Sequence, residues 1–386
     1  MDDGKARGAP GMQRILYLYL NTGGGHISGA RALKTGMETL FPGQSEGHLL
    51  HGYPPRLVLD RLVMEQGYSL AVNHFMPGYL LAYKLAELRP LIALSQETTA
   101  QACSGYIASH IHRLGITKVV CLHFILEKAA RDAIRQVNPA IPLVTVVMDP
   151  FSVPPIWFGV KEQEFCVFSE RARQSALDEG IAPERVRVFP LMLRREFETP
   201  RPSEAVPELK RKYGFDPTRP LLLLAGGGDG LPRSDRIVKE ALARGFEGQI
   251  AVVCGKNILL RRRLRDLRTR MGARDLKIYG FVDFMADLMA MADCVVTKAG
   301  PATVMETLAL KKPLIISCYV RNQEKGNVQF VTSNKVGWYL TEPGEIVEKA
   351  REIFANPELR RDLEARISAL GIRNGLSDLA RHIFQL

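Results

Sequence analysis

Several common signatures of ligand and metal sites are missing from this sequence. The phosphate-binding P-loop needs Gly-Lys followed by Ser or Thr, and no such run occurs. The dinucleotide-binding pattern GxGxxG fails in the N-terminal glycine run, because Ser28 stands at its last glycine. The six cysteines are scattered singly without a CxxC pair, which favours buried, reduced thiols over zinc ligands or disulfides. These absences argue against a P-loop nucleotidase, a dinucleotide-dependent oxidoreductase and a zinc protein.

The sequence also lacks long apolar runs and any excess of acidic residues. No run of about 18 apolar residues occurs, and the polar, Gly-rich N-terminus has no signal-peptide core. We therefore expect a cytoplasmic protein that meets a membrane only from its surface. The formal net charge of +11 favours an anionic partner, such as a nucleotide or an anionic membrane surface. No nucleic-acid-binding signature accompanies that charge, so nucleic acid is not expected.

At 386 residues the chain is too long for one ordinary core, so two domains are expected. Each half opens with a predicted strand, a run of three glycines and a helix. Strands and helices alternate after each opening, which predicts parallel α/β sheets. The Pro-rich and charged stretch near residue 200 separates the halves. The predicted divisions are an N-terminal domain 1–196, a linker 197–207, a C-terminal domain 208–370 and a final helical segment 371–386.

The most informative stretch runs over residues 293–331. We predict a strand 294–297, a helix 303–310, a strand 314–317 and a loop 323–327. Small residues at the first strand-to-helix turn let backbone N–H groups close on an anion, and the helix start adds partial positive charge. This turn consists of Gly300, Pro301, Ala302 and Thr303. The pattern therefore predicts a phosphate-bearing ligand, although an ordinary strand–turn–helix remains the alternative.

Polar residues beyond this turn are candidate ligands for hydroxyl groups. Glu306, near the start of the helix, could reach the sugar hydroxyls of the ligand. The loop that follows the second strand offers further carboxylate and amide groups, namely Gln323, Glu324 and Asn327.

The N-terminal glycine run projects one histidine. Asn21-Thr22-Gly23-Gly24-Gly25-His26 follows a predicted strand 15–20 and precedes a predicted helix 28–40. A neutral imidazole at a helix start is a reasonable general base, because the positive helix end disfavours its protonated form. A structural histidine is the alternative on this observation alone.

Asp149 is the second candidate in the N-terminal half. It ends a predicted strand 143–148, and strand carboxyl ends are where open α/β sheets place their ligands. Asp149 could orient His26 or the acceptor, or it could be a turn residue before Pro150.

These motifs resemble glycosyltransferase family 28, and within it the monogalactosyldiacylglycerol synthases and processive diacylglycerol glucosyltransferases. The run TKAGPAT, then Glu306, then QEKGN is the most specific part, and TGGGH looks like the family's own motif. The resemblance implies the GT-B fold, an α/β architecture of two Rossmann-like domains that face one another across a cleft. Several positions depart from the family pattern, among them Asn21, Ile27 and Pro154.

The resemblance also implies roles for the residues. His26 becomes the histidine of the catalytic pocket, and Asp149 becomes more plausible there. Gly23, Gly24 and Gly25 form an acceptor loop. The remaining implied contacts are to the donor: Gly226, Gly227, Gly228, Val282 at the uracil, Gly300, Pro301, Ala302, Thr303, Glu306, Gln323, Glu324 and Asn327.

The leading functional hypothesis is an enzyme, an inverting and metal-independent hexosyltransferase. It would move glucose or galactose from a UDP-sugar to a lipid acceptor such as diacylglycerol, at an anionic membrane surface. The sequence has no Asp-x-Asp triplet of the kind that holds a diphosphate through a metal, so neither metal nor cofactor is expected. Residues 79–88 mix apolar and basic side chains and could touch a membrane interface, or pack in the core. The alternatives are a sugar-nucleotide epimerase, a transferase with another acceptor, and a UDP-sugar-binding protein without catalysis.

Overall fold

The structure is a computed structural model that describes residues 11–21, 25–57, 89–198, 200–320 and 323–386. The chain forms two compact units. The first takes the described residues up to Met192 together with Gly375–Leu386, and the second is Leu193–Asn374. The predicted segment 79–88 and the residues Gly23 and Gly24 lie outside the described residues.

The first unit is built on a six-stranded sheet in which all neighbours are parallel. Its strand order is β2-β1-β3-β4-β5-β6. β3 and β4 are buried along their whole length, as expected of a parallel sheet that is covered on both faces. The strands are β1 Gln13–Tyr19, β2 Ser45–His51, β3 Lys118–Cys121, β4 Leu143–Val146, β5 Glu164–Val167 and β6 Val186–Val188.

Helices cover this sheet and follow most of its strands. Before the second unit, the described residues contain α1 Gly25–Leu40, α2 Arg89–Leu114, α3 Glu127–Val137 and α4 Glu170–Asp178. α3 shows why such helices form, because Ala129, Ala130, Ala133 and Ile134 recur on one face and are all buried. The apolar stripe packs in the core with residues of β1 and β3.

The second unit repeats this architecture. Its sheet has the strand order β12-β11-β10-β7-β8-β9, again with parallel neighbours throughout. The central β7 and β8 are buried at every position. The strands are β7 Leu221–Ala225, β8 Gln249–Val253, β9 Leu276–Tyr279, β10 Cys294–Lys298, β11 Leu314–Cys318 and β12 Gly337–Tyr339.

Eight helices accompany this second sheet among the described residues. They are α5 Val206–Lys212, α6 Ser234–Ala243, α7 Ile258–Arg270, α8 Met285–Met291, α9 Pro301–Ala309, α10 Lys325–Ser333, α11 Pro343–Ala355 and α12 Pro357–Ala369. α7 buries Leu260, Leu264 and Leu267, which recur on one face, and exposes most of its arginines. Met271 follows the last residue of the helix and is 43% exposed.

The last helix, α13 Leu376–Gln385, packs in the first unit. Its C-terminal carbonyl groups accept hydrogen bonds from the first sheet. The buried Lys118 donates through Nζ to Phe384 O at 3.3 Å and also to Ile383 O. Gln13 Nε2 donates to Phe384 O at 2.8 Å, and the Phe384 ring stacks on Phe41 with centroids 3.8 Å apart. The Lys118 ammonium group and the Gln13 amide thus donate to carbonyl oxygens at the C-terminal end of α13, which have no acceptor role within the helix.

The segment 197–207, predicted as the linker between the halves, lies within the second compact unit and holds a short 3-10 turn, Ser203–Ala205, and the start of α5. Phe197, at its beginning, is fully buried in the core of the second unit. Burial of the Phe197 side chain stabilises the fold by about 1.5–3 kcal/mol, so this residue packs in the core despite the surrounding prolines and charges.

Two negative findings apply to the described residues. No helix there is long and apolar enough to cross a bilayer. All six cysteines are described and none forms a disulfide; five of them are buried.

Candidate active site

The first group of candidate residues lies where the first sheet reverses its winding. β1 lies between β2 and β3, so the chain proceeds in opposite directions on its two sides. Open parallel sheets bind ligands at the carboxyl ends of the strands that flank such a reversal. His26 follows β1, and Leu122 follows β3. Both residues therefore lie at the edge of the sheet where a ligand site is expected.

His26 is joined to the end of β3 by a hydrogen bond. Its Nδ1 lies 2.6 Å from the carbonyl oxygen of Leu122. A carbonyl oxygen only accepts, so Nδ1 carries the hydrogen and donates it. The lone pair of the neutral ring is then on Nε2. An imidazole fixed in this tautomer can accept a proton from a substrate hydroxyl through Nε2.

Neighbouring rings keep His26 uncharged. The ring centroid of His123 is 4.6 Å from that of His26, and that of Trp157 is 6.3 Å away. Burial lowers the pKa of His26 to about 4, against the Leu122 hydrogen bond, which raises it. Burial also holds the pKa of His123 well below its ordinary value, with smaller contributions from His26 and His51. Both His26 and His123 are therefore neutral at pH 7.

Asp149 is connected to His26 indirectly, through a hydrogen bond with Trp157. The carboxylate is buried, and its Oδ2 accepts a hydrogen bond of 2.8 Å from Trp157 Nε1. Trp157 is fully buried and is one of the two rings beside His26. The hydrogen bond therefore fixes an aromatic neighbour of the histidine, a role that the sequence does not reveal.

Only one residue of the predicted acceptor loop is described. Gly25 is the first residue of α1 and is exposed, and a Cβ atom there would meet nothing within 4 Å. The helix thus begins earlier than the predicted residue 28, and His26 lies in its first turn. The glycine run led us to predict a turn that is too long. A Gly at the start of a helix costs little stability, so the helix can begin within the run.

The second group of candidates lies at the reversal of the second sheet. β7 lies between β8 and β10, so the chain reverses its winding there. The glycines 226–228 follow β7, and Ala299 and Gly300 follow β10. Two predicted phosphate-binding turns are therefore neighbours at one edge of the sheet.

The glycine turn after β7 is required by packing as well as by any ligand. A Cβ atom on Gly226 would lie 2.4 Å from Leu231 Cα, and Gly227 has φ of +81°. The loop after β8 packs against the same turn, where Lys256 N donates a hydrogen bond to Gly228 O at 2.8 Å. No helix starts directly at the turn, since α6 begins only at Ser234. Any anion bound there would meet single backbone N–H groups and not a helix end.

The turn after β10 does lead directly into a helix. Gly300 is the N-cap of α9, and Pro301 is its first residue. No side chain caps this end, so the N–H groups of Ala302 and Thr303 have no side-chain acceptor. The start of α9 therefore has the properties of an anion site.

Glu306 has an ion-pair partner that the sequence does not predict. Arg194 Nε donates to Glu306 Oε1 at 3.1 Å, and its Nη1 lies 2.8 Å from Glu196 Oε1. The Arg194 guanidinium also stacks on the Phe197 ring at 4.7 Å. Burial raises the pKa of the Glu306 carboxyl, against Arg194, which lowers it.

The predicted loop 323–327 is partly helical, which corrects that prediction. α10 begins at Lys325, so that Asn327 lies in its first turn. Glu324 is buried and accepts from Lys298 Nζ at 2.6 Å and from Val320 N at 2.8 Å. Gly and Asn favour loops, but here Asn327 Nδ2 donates to Ala299 O at 2.7 Å. This bond holds α10 against the turn after β10, whereas Gln323 precedes the helix.

Val282 lies on the turn after β9, at the same edge of the second sheet. Its side chain is half-buried against a core cluster of this unit. The side chain of its neighbour Phe281 is 72% exposed. A half-buried Val beside an exposed ring leaves this turn accessible to a planar ligand.

Comparison with known proteins finds a family model for part of this chain and related proteins for most of it. Residues 221–380 match the model of the glycosyltransferase family 28 C-terminal domain. A rice protein named "Probable monogalactosyldiacylglycerol synthase 2, chloroplastic" is 29% identical over 90% of this chain and 76% of its own length. Monogalactosyldiacylglycerol synthase 1 of Arabidopsis thaliana is 27% identical over 89% of this chain and 65% of its own length.

Solved structures share the fold at lower identity. MurG of Acinetobacter baumannii aligns with a TM-score of 0.61 at 13% identity, over 97% of this chain and all of that one. HepE of Anabaena, solved with UDP and glucose, gives 0.58 at 15% identity, over 97% of this chain and 98% of its own. A UDP-GlcNAc 2-epimerase of Neisseria meningitidis gives 0.62 at 10% identity, over 97% of this chain and 99% of its own.

The two parallel sheets and these likenesses define the class: the chain is a glycosyltransferase with the GT-B fold. Its residues 221–380 form a glycosyltransferase family 28 C-terminal domain, and the chain as a whole is related to the monogalactosyldiacylglycerol synthases. The predicted family resemblance and fold class are confirmed.

The tautomer and charge of His26 can be measured without an activity assay. We expect its imidazole to stay neutral from pH 8 down to about pH 5, with Nδ1 protonated, because its folded pKa is about 4. The measurement is nitrogen-15 NMR of the ring, assigned by loss of the signals in His26→Ala. The ordinary pKa is 6.5, so acidification from 6.5 towards 4 protonates the unfolded chain first and lowers the free energy of unfolding. A titration midpoint above pH 6 in the folded protein would contradict the arrangement.

Proposed function

We propose that this glycosyltransferase moves a hexose, glucose or galactose, from a UDP-sugar to the hydroxyl group of a lipid, with inversion at the anomeric carbon. Diacylglycerol is the proposed acceptor, because the curated relatives are named for a galactosyl diacylglycerol product. The observation that carries the proposal is the hydrogen bond between His26 Nδ1 and Leu122 O at the winding reversal of the first sheet, because it leaves the lone pair of a neutral ring on Nε2.

His26 is the proposed general base. An alcohol attacks a sugar carbon readily only when its proton is taken up as the new bond forms. A base with a pKa near 4 is fully unprotonated at pH 7, at the cost of a weaker pull on the proton. Asp149 supports this role by holding Trp157 beside the imidazole.

The second unit is the proposed donor site. Backbone N–H groups of the turn 226–228 and of the α9 start would stabilise the charge that develops on the departing UDP. No resident metal or cofactor is proposed. Glu306 would bind the ribose, and Val282 the uracil through its backbone. Gln323 would bind the hexose, held in place by the internal bonds of Glu324 and Asn327.

A lipid acceptor requires contact with a membrane. The net charge of +11 suits an anionic bilayer surface, and we propose peripheral association with such a surface. Nucleic acid is not part of the proposal.

A product assay tests the whole proposal. The protein is incubated with UDP-glucose or UDP-galactose and a total lipid extract, in EDTA, and the lipids are analysed by mass spectrometry. A hexosyl lipid of inverted anomeric configuration is expected. Turnover of the UDP-sugar to an isomer without lipid would favour an epimerase instead. A lasting requirement for added divalent cation would contradict the metal-independent mechanism.

Replacing Glu306 by Ala should weaken UDP binding even when no acceptor is present. Loss of a charged hydrogen bond to ribose is worth about 1.5–3 kcal/mol, or roughly ten- to hundredfold in affinity. Calorimetry with UDP is the measurement. Glu196→Ala is the matched control, because it removes the other carboxylate that pairs with Arg194. An affinity equal to the parent's in Glu306→Ala would exclude Glu306 from the nucleotide site.

Replacing His26 by Ala should abolish transfer and leave UDP binding unchanged. Losing a general base costs about 10²–10⁴-fold in rate, whereas the nucleotide is assigned to the other unit. Initial rates and UDP calorimetry are measured on one folded preparation. His112→Ala, an exposed histidine on α2, is the control and should transfer at the parent rate. Transfer within threefold of the parent by His26→Ala would refute the assignment and make Asp149, or a water held by it, the better base.

A further inference from the structure

Lys298 is a charged residue that lies near both predicted phosphate-binding turns. It is the last residue of β10 and immediately precedes Ala299 and Gly300. Its Nζ lies 3.2 Å from the position that a Cβ atom on Gly300 would occupy. Its Cε lies 4.0 Å from the corresponding position on Gly227. The end of the Lys298 side chain therefore lies beside both turns.

A cation is held in this position by a buried carboxylate. Glu324 Oε1 lies 2.6 Å from Lys298 Nζ, while Glu324 Oε2 accepts from Val320 N at 2.8 Å. The Glu324 side chain is only 6% exposed, whereas that of Lys298 is 31% exposed. The carboxylate is thus the more buried partner, and the Lys298 side chain is the more exposed one.

The charges around Lys298 keep it protonated. Burial is the largest single effect and lowers its pKa, but attraction and hydrogen bonding to Glu324, with smaller contributions that include Asp229, together outweigh it, so the pKa is raised. Asp229 belongs to the glycine loop that follows β7. Lys298 therefore carries a full positive charge at neutral pH beside backbone N–H groups that are assigned to an anion.

We infer that Lys298 binds the diphosphate of the donor and stabilises the leaving group as the sugar departs. This inference rests on the proposed function and names a residue that the motif contains without an assigned role. In the step, the bond from the anomeric carbon to the β-phosphate oxygen breaks, and its electron pair goes to that oxygen. The acceptor oxygen bonds to the anomeric carbon, and its proton goes to His26. The added negative charge on UDP is the charge that Lys298 meets.

A purely structural role for Lys298 is the competing explanation. A buried ion pair is weak evidence for stability or function, since desolvation offsets much of the attraction. Removing Lys298 alone would also leave the buried Glu324 without its cation, and could damage the fold. The test therefore needs a variant in which both charges are removed together.

The experiment compares binding of UDP, UMP and uridine by calorimetry or ligand NMR. The variants are Lys298→Met, Lys298→Arg and the double variant Lys298→Met with Glu324→Gln. The double variant keeps the size of both side chains and leaves no unpaired buried charge. Lys239→Met, an exposed lysine on α6, is the matched control.

We expect Lys298→Met and the double variant to bind UDP about 10- to 100-fold more weakly, as loss of a charged hydrogen bond implies. Uridine affinity should change less than about twofold, and Lys298→Arg should retain most UDP affinity because it keeps the charge. A double variant that binds UDP like the parent would overturn the inference and leave the proposed function standing. An equal loss for UDP and uridine would also overturn it. A parent protein that binds no UDP would overturn both.

Discussion

Parallel strand pairing constrains everything else in this molecule. The carboxyl ends of all strands in a parallel sheet lie on the same side, so residues that follow different strands and are distant in sequence lie near one another there. In both sheets the winding reverses beside the first strand of the unit, at β1–β3 and at β7–β10. The reversal separates the connections that leave the two strands, and the space between them opens at their carboxyl ends. His26, the glycine turn 226–228 and the start of α9 all follow strands that flank these two reversals.

The two sites solve opposite electrostatic problems. The first must keep a base uncharged, and burial beside the rings of His123 and Trp157 does so, although the hydrogen bond to Leu122 O favours the imidazolium. The buried carboxylate nearby, Asp149, is bound to Trp157 Nε1. The second must attract an anion, and it offers N–H groups, a helix start and Lys298. The site for the base thus has few charges, and the site for the anion has many.

Local patterns in the sequence predicted the elements and the turns, because strand alternation, glycine runs and helix periodicity act over a few residues. TKAGPAT could be placed after a strand and before a helix on those grounds. The side-chain partners could not be predicted in this way. Arg194 and Glu306 are 112 positions apart, and Lys298 and Glu324 are 26 apart. Their pairing depends on which strands are neighbours, and no local pattern contains that information.

The same long-range pairs explain why the segment 323–327 was predicted as a loop. Gly326 and Asn327 disfavour helix by about 0.5–1 kcal/mol each relative to Ala. The bond from Asn327 Nδ2 to Ala299 O contributes about 0.5–1.5 kcal/mol, and the bond from Val320 N to the Glu324 carboxylate contributes about 1.5–3 kcal/mol, so together they offset this cost. α10 is therefore stabilised from outside by the turn after β10.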